Sequence, residues 1–370
     1  MRVKLSDITH YSKGSQINRE DLIDNGEYIY LNGGINPSGR WTASNVDANT
    51  ITISEGGNSS GYINYITEPF WCGAHCYYLF DGPKNTKYLY YALKSQQERL
   101  FAIRSGACMP NIKKADLGKF EFEFDYDEKK QDEIVSVLSS TENIINNRKK
   151  ELGKLDELIR ARFVEMFGNP RINPNKYPTK LIKDTCIVIT GNTPSRKVHE
   201  YYGDAIEWIK TDNIVSSLLY PTVASESLSD SGKAVGRAVD AGAILMACIA
   251  GSVASIGRVC ITDREVAFNQ QINAIVPKEY DVRFLHALLQ ISKDYLVEDI
   301  NMSLKGIISK SKLEEKEFIV PSMEEQVGFA DFVKQIDKSK FQKYNATILS
   351  HNIYVFETRR RFICKPTLII

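Results

Sequence analysis

The stretch that decides the fold runs from Asp127 to Phe167 and reads DEKKQDEIVSVLSSTENIINNRKKELGKLDELIRARFVEMF. Alternating steps of four and three from Ile134 reach a mostly apolar series: Leu138, Thr141, Ile145, Arg148, Leu152, Leu155, Ile159, Arg162 and Met166. An apolar period of 3.5 residues on a charged background is typical of a coiled-coil seam. Gly168 and Pro170 predict where the helix ends. We therefore expect a helix about 60 Å long that needs a partner helix to cover its seam.

The bulk composition is that of an ordinary soluble protein, and its 370 residues are enough for two domains. No apolar run approaches the roughly 20 residues of a membrane span, and the opening MRVKLSDITH lacks the apolar segment of a signal peptide. The seven scattered cysteines indicate reduced thiols in a cytoplasmic protein. A net charge of +1 gives no overall attraction to nucleic acid, so any such surface must be local.

The segments before and after this helix repeat the same order of motifs. GNTPS at 191–195 corresponds to GSQ at 14–16, RFLHALLQIS at 283–292 to YLYYALKSQQ at 88–97, and EEQ at 324–326 to KKQ at 129–131. A second helical pattern follows EEQ, as the first follows KKQ. Matches in one order at a nearly constant offset indicate an internal duplication.

This duplication predicts a mixed α+β fold, in which two long antiparallel coiled-coil helices separate two pseudo-symmetric α/β domains. Within the first domain we expect short strands, a helix over 88–103 and a return to strand-like alternation over 116–124. The expected boundaries are listed in chain order: domain 1 at 1–125, the central helix at 126–168, domain 2 at 171–321 and the C-terminal helix at 322–362. The tail 350–370 is atypical, because β-type clustering, a basic run and Pro366 interrupt its heptads. A coiled coil between two chains is the alternative arrangement.

Two motifs suggest chemistry, but their surroundings favour a structural role. The sequence GNSSG at 57–61 fits the nucleophile elbow of serine hydrolases, with Ser59 as the nucleophile. That elbow needs a strand before it and a helix after it, whereas a β-type run follows here, which favours a glycine loop between two strands. Cys72, His75 and Cys76 have no second Cys/His pair at zinc-finger spacing, so we predict no metal site and no catalytic residues.

Equivalent loops of both domains carry side chains suited to reading base edges, since Asn and Gln pair with adenine and Arg and Lys with guanine. The candidates in domain 1 are Lys13, Gln16, Asn32, Asn36, Arg40, Asn58, Ser59, His75, Asn111, Lys113 and Lys114. The candidates in domain 2 are Thr193, Ser195, Arg196, Lys197, Lys210, Asp212, Asn213, Ser252, Arg258, Gln270, Gln271, Lys305, Ser309, Lys310 and Lys312. For any one of them a solvated loop position is the alternative, so the hypothesis depends on their recurrence in both domains.

The whole pattern resembles the specificity subunit of type I restriction-modification systems. The features that carry the resemblance are the duplicated plan, GNTPS followed by IEWIKTDNI at 206–214, and EEQ followed by DKSKF at 337–341. The resemblance implies that each domain is a target recognition domain that reads one half of a split site in double-stranded DNA. It also implies that the helices measure the unread spacer and dock two methyltransferase subunits.

The resemblance implies a subunit without catalytic activity or a bound cofactor of its own. Restriction and translocase subunits would join through the methyltransferase core, and S-adenosylmethionine, ATP and Mg would belong to these partners. The atypical tail leaves open whether one methyltransferase docking surface is complete. A coiled-coil adaptor that binds no DNA is one alternative function, and the specificity module of a fused restriction-methylation system is another.

Overall fold

The computed structural model describes residues 1–106, 109–250, 255–298 and 306–362, and the chain divides into two compact units. One unit contains Met1–Lys149 together with the described residues 346–362, and the other contains Lys150–Asn345. Each unit therefore consists of one globular domain and portions of both long helices.

Domain 1 is a mixed α/β domain whose main sheet has the antiparallel order β2-β8-β5-β6. A three-stranded sheet has the order β4-β3-β7, with β3 and β7 parallel, and β1 pairs with β9. The elements of this half are β1 (Arg2–Lys4), α1 (Leu5–Ile8), β2 (His10–Lys13), β3 (Tyr28–Leu31), β4 (Gly39–Trp41), β5 (Thr50–Ser54), β6 (Ile63–Ile66), β7 (Phe70–Cys72), β8 (Cys76–Phe80), α2 (Thr86–Lys94), α3 (Gln97–Ala102), α4 (Lys114–Gly118), β9 (Glu121–Glu123) and the long helix α5 (Glu128–Phe167).

Domain 2 repeats this plan with the antiparallel order β11-β19-β16-β17 and a five-stranded sheet, β12-β14-β13-β18-β15. Its elements are β10 (Thr179–Leu181), α6 (Ile182–Thr185), β11 (Cys186–Thr190), β12 (Tyr202–Gly203), β13 (Ile206–Ile209), β14 (Ser227–Leu228), α7 (Asp230–Val235), β15 (Ala238–Val239), β16 (Ile244–Ala247), β17 (Val259–Ile261), β18 (Val266–Phe268), β19 (Ile272–Pro277), α8 (Val282–Ile291), α9 (Lys293–Val297), α10 (Lys310–Glu314), β20 (Glu317–Ile319) and the long helix α11 (Met323–Phe362).

The two domains share their topology, which confirms the predicted duplication. The parallel pair β3–β7 corresponds to β13–β18, and the terminal pair β1–β9 corresponds to β10–β20. Helix α2 corresponds to α8, and each has a capping side chain at its N-terminus, Asn85 in domain 1 and Asp281 in domain 2. The antiparallel pair β3–β4 likewise corresponds to β13–β14, so domain 2 differs mainly by the additional elements β12, α7 and β15.

A buried glutamine holds the start of each long helix against its own domain. In domain 1, Nε2 of Gln131 donates a hydrogen bond to the carbonyl oxygen of Asp125 (2.6 Å). In domain 2, Nε2 of Gln326 donates to the carbonyl oxygen of Pro321 (3.0 Å), and its Oε1 accepts from the amide of Asp281 (2.9 Å). The matching sequence motifs KKQ and EEQ thus have matching structural roles.

Within each unit, α5 and α11 pack against each other as an antiparallel pair. In the second unit, Glu151 forms an ion pair with Lys343 (2.5 Å), while Asp156 pairs with Lys340 (2.6 Å). As the residue number rises along α5, the number of its partner on α11 falls, which establishes the antiparallel direction. In the first unit, the guanidinium of Arg148 donates to the carbonyl oxygen of Ala346 and to the hydroxyl of Ser350. The helices therefore pair within one chain.

All ten positions of the predicted seam in α5 are buried or half-buried. Two further residues of the same helix, Phe163 and Phe167, are completely buried and were missed by the 3.5-residue period. Their rings pack against Phe284 and Phe329 in the core of domain 2 (centroid distances of 5.0 to 5.7 Å). An α-helix drifts by about 20° per heptad relative to a strict period of 3.5, so its buried face moves along its length.

Two other sequence expectations are corrected. The helical pattern over 88–103 is split into α2 and α3, and the segment 116–124 begins inside α4 before it becomes β9. The tail is helical as far as Phe362 despite its β-type clustering, and residues 363–370 lie outside the described residues. Phe362 is buried next to Tyr88 (ring centroids 5.5 Å apart), so packing against domain 1 outweighs the weak local preference. None of the helices in the described residues combines the length and the apolarity that a membrane span needs.

Candidate nucleic-acid interface

In domain 2, the loops that follow β11, β13, β16 and β18 meet at one end of the two sheets. Backbone hydrogen bonds tie these loops together: Asn192 N to Phe268 O (3.2 Å), Asn269 N to Ile209 O (3.0 Å) and Cys248 N to Gln271 O (2.8 Å). Gly191 is required here, because an added Cβ would lie 2.1 Å from the carbonyl oxygen of Asn269. We call this end the loop surface of domain 2.

The loop surface of domain 2 holds most of the candidates predicted for that domain: Thr193, Ser195, Arg196, Lys197, Lys210, Asp212, Arg258, Gln270 and Gln271. The hydroxyl of Thr193 donates a hydrogen bond to the side-chain oxygen of Gln270, which joins the loops after β11 and β18. The guanidinium of Arg258 donates to the carbonyl oxygens of Thr211 (3.0 Å) and Ser255 (3.2 Å). Arg258 therefore also stabilises the loop that follows β13.

Asn213 is a structural residue, and its selection as a base-reading candidate is not supported by its contacts. The side chain is buried, its Oδ1 accepts from the amide of Lys210 (2.9 Å), and its Nδ2 donates to Thr222 (3.0 Å) and Val223 (3.2 Å). Both amide hydrogens and one of the two acceptor positions of Oδ1 are thus used inside the domain.

The remaining candidates of domain 2 lie at helix α10 or outside the described residues. The hydroxyl of Ser309 accepts from the amide of Lys312 (3.3 Å) and caps α10, which also carries Lys310. The amide of Ile308 donates to the carbonyl oxygen of Cys248 (2.9 Å), so the start of α10 lies beside the loop after β16. Ser252 and Lys305 are outside the described residues.

An ionic and aromatic cluster forms one side of the loop surface of domain 2. Arg196 forms an ion pair with Glu226 (2.6 Å), and Lys210 pairs with the other oxygen of the same carboxylate (2.5 Å). The guanidinium carbon of Arg196 lies 4.4 Å from the ring centre of Tyr202 and 5.2 Å from that of Trp208. The hydrogen bond from Lys210 has the largest effect on Glu226 and lowers its pKa below the ordinary value. The contact with Arg196 lowers this pKa further.

Domain 1 has the corresponding surface, formed by the loops after β2, β3 and β5 and by the turn between β7 and β8. The hydroxyl of Ser59 donates to the carbonyl oxygen of Gly33 (2.6 Å), and the amide of His75 donates to the side-chain oxygen of Asn32 (3.2 Å). Gly33 has a φ of +81°, and a Cβ there would lie 2.3 Å from the carbonyl oxygen of His75. The loop surface of domain 1 carries Lys13, Gln16, Asn32, Asn36, Asn58, Ser59, His75 and Asn111.

Arg40 does not belong to this surface. It lies on β4 opposite Ile29, and its guanidinium donates to the carbonyl oxygens of Gly26 (2.5 Å) and Glu27 (2.6 Å). These contacts fix the arginine to the backbone of its own domain, so its selection as a base-reading candidate is not supported. The exposed residues Lys113 and Lys114 stand at the start of α4.

The surroundings of the two motifs that suggested chemistry indicate structural roles for both. The GNSSG segment connects β5 to the antiparallel strand β6, as the glycine-loop interpretation predicts. Cys72 and Cys76 are buried, and the thiol of Cys72 donates to the carbonyl oxygen of Cys76 (3.4 Å). His75 is exposed between them and faces Glu55 rather than the two thiols (Nδ1 to Oε2, 3.6 Å).

The family model for the type I restriction modification DNA specificity domain matches residues 1–154 and 174–349. The chain belongs to this family. A putative type I specificity subunit from Mycoplasma genitalium is 36% identical over 151 residues, which is 40% of this chain and 38% of that protein. The HindI specificity subunit from Haemophilus influenzae is 28% identical over 204 residues, covering 53% and 43% of the two chains. These matches span less than half the length of either relative.

A solved structure supports the fold of this family. The crystal structure of a type I restriction-modification S subunit from M. genitalium superposes with a TM-score of 0.59 and covers 99% of this chain and 96% of that one. The sequence identity over this superposition is 20%, so the likeness establishes the architecture only.

Two acidic residues of this family member were absent from the sequence candidates. Glu55 in domain 1 is buried, forms an ion pair with Lys13 and accepts a hydrogen bond from the hydroxyl of Tyr77 (3.4 Å). Glu226 in domain 2 binds Lys210 and Arg196. The candidates were chosen mainly as amides, hydroxyls and cations that suit base edges. Glu55 could have been found from its position directly after the predicted strand 50–54, whereas no predicted strand adjoins Glu226.

Proposed function

We propose that this chain is the DNA sequence-recognition subunit of a type I restriction-modification complex, that it acts in the cytoplasm, and that it has no catalytic activity of its own. Each domain reads one half of a bipartite duplex site through its loop surface, and the long helices set the unread spacer. Two methyltransferase subunits dock on these helices, and restriction and translocase subunits join through that core. Adenine methylation with S-adenosylmethionine and cleavage driven by ATP and Mg belong to those partners.

The observation that carries this proposal is the recurrence of one polar loop surface on both copies of a duplicated domain. The two surfaces occupy equivalent ends of equivalent sheets, yet their side chains differ: domain 1 presents Asn32 and His75, and domain 2 presents Arg196 and Gln270. Because different side chains select different bases, the two half-sites differ in sequence. A near-neutral chain is consistent with partners that supply many of the phosphate contacts.

A stripe of exposed apolar side chains on α11 supports the docking of a methyltransferase subunit. Leu349, Ile353 and Phe356 follow one another at helical spacing, and 62%, 47% and 63% of their surfaces are exposed. The opposite face of this helix already packs on α5 and on domain 1, where Tyr354 lies beside Tyr91. An apolar stripe on a helix that is already packed on its other face favours a partner helix or groove.

The proposal is tested by co-expression of the chain with its methyltransferase partner, followed by mapping of N6-methyladenine across the host genome. We expect methylation at a single bipartite motif with two unlike halves and a spacer of fixed length. The same methyltransferase expressed without the chain is the control and is expected to leave this motif unmethylated. A motif that appears without the chain, or a continuous motif with no spacer, would contradict the proposal.

A further inference from the structure

The backbone that carries Arg196 is fixed on both sides of this residue. On the preceding side, the indole of Trp208 donates to the carbonyl oxygen of Asn192 (3.3 Å), and the hydroxyl of Tyr202 donates to the carbonyl oxygen of Pro194 (2.7 Å). On the following side, the amide of Val198 donates to the carbonyl oxygen of Ser195 (3.1 Å) and closes a turn. The position of the Arg196 Cα is therefore set by the domain rather than by a ligand.

The side chain of Arg196 is held as well, although 55% of its surface is exposed. Its guanidinium lies over the rings of Tyr202 and Trp208, which limits how the planar group can tilt. Glu226 contacts Nη2 (2.6 Å), and a guanidinium has five N–H donors, so the donors on Nε and Nη1 remain outside this contact. The side chain is a pre-oriented donor fork at the edge of the loop surface.

The charge balance around this fork distinguishes a base contact from a phosphate contact. A phosphate is attracted by positive charge, and a contact with it carries no sequence information. The carboxylate of Glu226 is shared by Arg196 and Lys210, so two cations and one anion leave a net charge of +1 where the cations alone would present +2. This reduction weakens attraction to phosphate but leaves the donor geometry intact. Guanine presents two acceptors, O6 and N7, side by side in the major groove, and a planar donor fork matches them. Adenine presents one donor and one acceptor there, so it does not match this fork.

We propose that Arg196 reads a guanine in the half-site recognised by domain 2, with Tyr202, Trp208 and Glu226 as the residues that position it. The inference rests on the proposed function, because it assigns one base of the site. Lys197 has the opposite character: it is exposed, and no ion pair involves it along the described part of the chain. It serves as a matched control, since it is a neighbouring cation suited to phosphate.

The test uses the full chain co-purified with its methyltransferase partner and a library of DNA duplexes randomised over both half-sites. Bound duplexes are sequenced, and binding is repeated over a range of salt concentrations. Arg196→Lys keeps the charge and removes the fork, so we expect the preference for one guanine to fall roughly tenfold to a hundredfold with an unchanged salt dependence. Lys197→Ala is expected to weaken binding to all duplexes and to reduce the salt slope by about one, while the guanine preference stays.

A second variant tests the positioning role of Glu226. Glu226→Gln removes the offsetting charge, so we expect tighter binding to all duplexes together with a weaker preference for the same guanine. Weaker general binding with an unchanged preference would contradict the positioning role.

The outcomes separate this inference from the function on which it rests. If the wild-type complex prefers a bipartite site and Arg196→Lys keeps every base preference, the inference is wrong and the proposed function stands. Equal weakening on all duplexes by Arg196→Lys would assign the residue to phosphate and also overturn the inference. If the wild-type complex shows no sequence preference, both fail.

Discussion

Gln326 shows how much stability a single buried amide contributes at the start of a long helix. Only 1% of its surface is exposed, and it is hydrogen-bonded to the backbone of Asp281, Pro321 and Glu279. Gln326→Leu would leave these three backbone groups without this partner, so we expect the free energy of unfolding to fall by about 3 kcal/mol. Urea denaturation measures the change, and the exposed Lys334→Ala on the same helix should stay within about 0.5 kcal/mol of wild type. Equal stability of both variants would contradict this role.

His286 predicts how stability depends on pH. The side chain is buried in α8, and burial lowers its pKa to about 4, whereas an unfolded histidine titrates near ~6.5. Between these two values the unfolded chain binds a proton that the folded chain does not bind. The free energy of unfolding therefore decreases as the pH falls from about 6.5 to about 4, by roughly 3 kcal/mol in total.

His286→Gln removes this titration, so its unfolding free energy, measured in urea at several pH values in that window, should change less with pH than that of the wild type. Replacement of the exposed His199 by Gln is the control and should keep the wild-type dependence. The same slope in wild type and His286→Gln would show that another group controls acid sensitivity.

The sequence allowed the type of side chain at the loop surfaces to be predicted. It did not show which of these side chains are available to contact a ligand. The side chains of Arg40 and Asn213 donate hydrogen bonds to backbone groups that become their neighbours only in the folded domain. Glu55 and Lys13 are 42 positions apart in sequence, and no local pattern brings them together. Burial and long-range pairing depend on the strand order, which a single sequence does not define.

At the scale of elements, the apolar stripe on α11 gives the most direct test of partner docking. Because Ile353 and Phe356 are exposed, changing both to Ser should leave the folded chain intact. We expect the double variant to lose at least about 2 kcal/mol of binding energy for the methyltransferase, measured by titration or by co-purification. His351→Ser, an exposed polar site on another face of the helix, should bind as the wild type does. Undiminished binding by the double variant would place the docking surface elsewhere.

Helix α5 was predictable because its apolar period extends from Ile134 to Met166, long enough to differ from a chance local pattern. The division between α2 and α3 was not predictable. The helix is interrupted by the backbone conformation of Gln96 (φ −102°, ψ 16°), while Ser95 keeps helical angles, and neither residue is Gly or Pro. Helix α11 ends at Phe362, the last position of its expected bounds 322–362, although its local helical preference is weak there. Its β-branched and aromatic residues have weak helical preference, and contacts such as that of Phe362 with Tyr88 decide the outcome.

At the scale of the whole molecule, the duplication predicts that the domains are interchangeable parts. Exchange of residues 171–321 for the same segment of a relative with another target should change one half of the methylated motif. The other half should stay, because the loop surface of domain 1 is formed within its own unit. Mapping of N6-methyladenine measures both halves at once. A change in both halves, with the complex still assembled, would refute the assignment of one half-site to each domain.

The duplicated topology was visible in the sequence because short motifs recur at a nearly constant offset. The strand orders were not visible, because β12, α7 and β15 extend one copy and the spacing of the repeats contains no information about which strands are neighbours in a sheet. What a single sequence conveys best is therefore the plan of the molecule, and what it conveys least is the pairing of distant strands.

The packing of Phe362 against Tyr88 has a consequence for biosynthesis. Domain 1 is the first to leave the ribosome, but part of its core comes from residues translated after the whole of the unit Lys150–Asn345. That unit is one continuous segment, so it can fold before domain 1 is complete. This reverses the usual order in which the domains of a nascent chain are completed. Until α11 emerges, the apolar surface around Tyr88 remains uncovered, and translation that stops before Ala346 produces a substrate for chaperones and proteases.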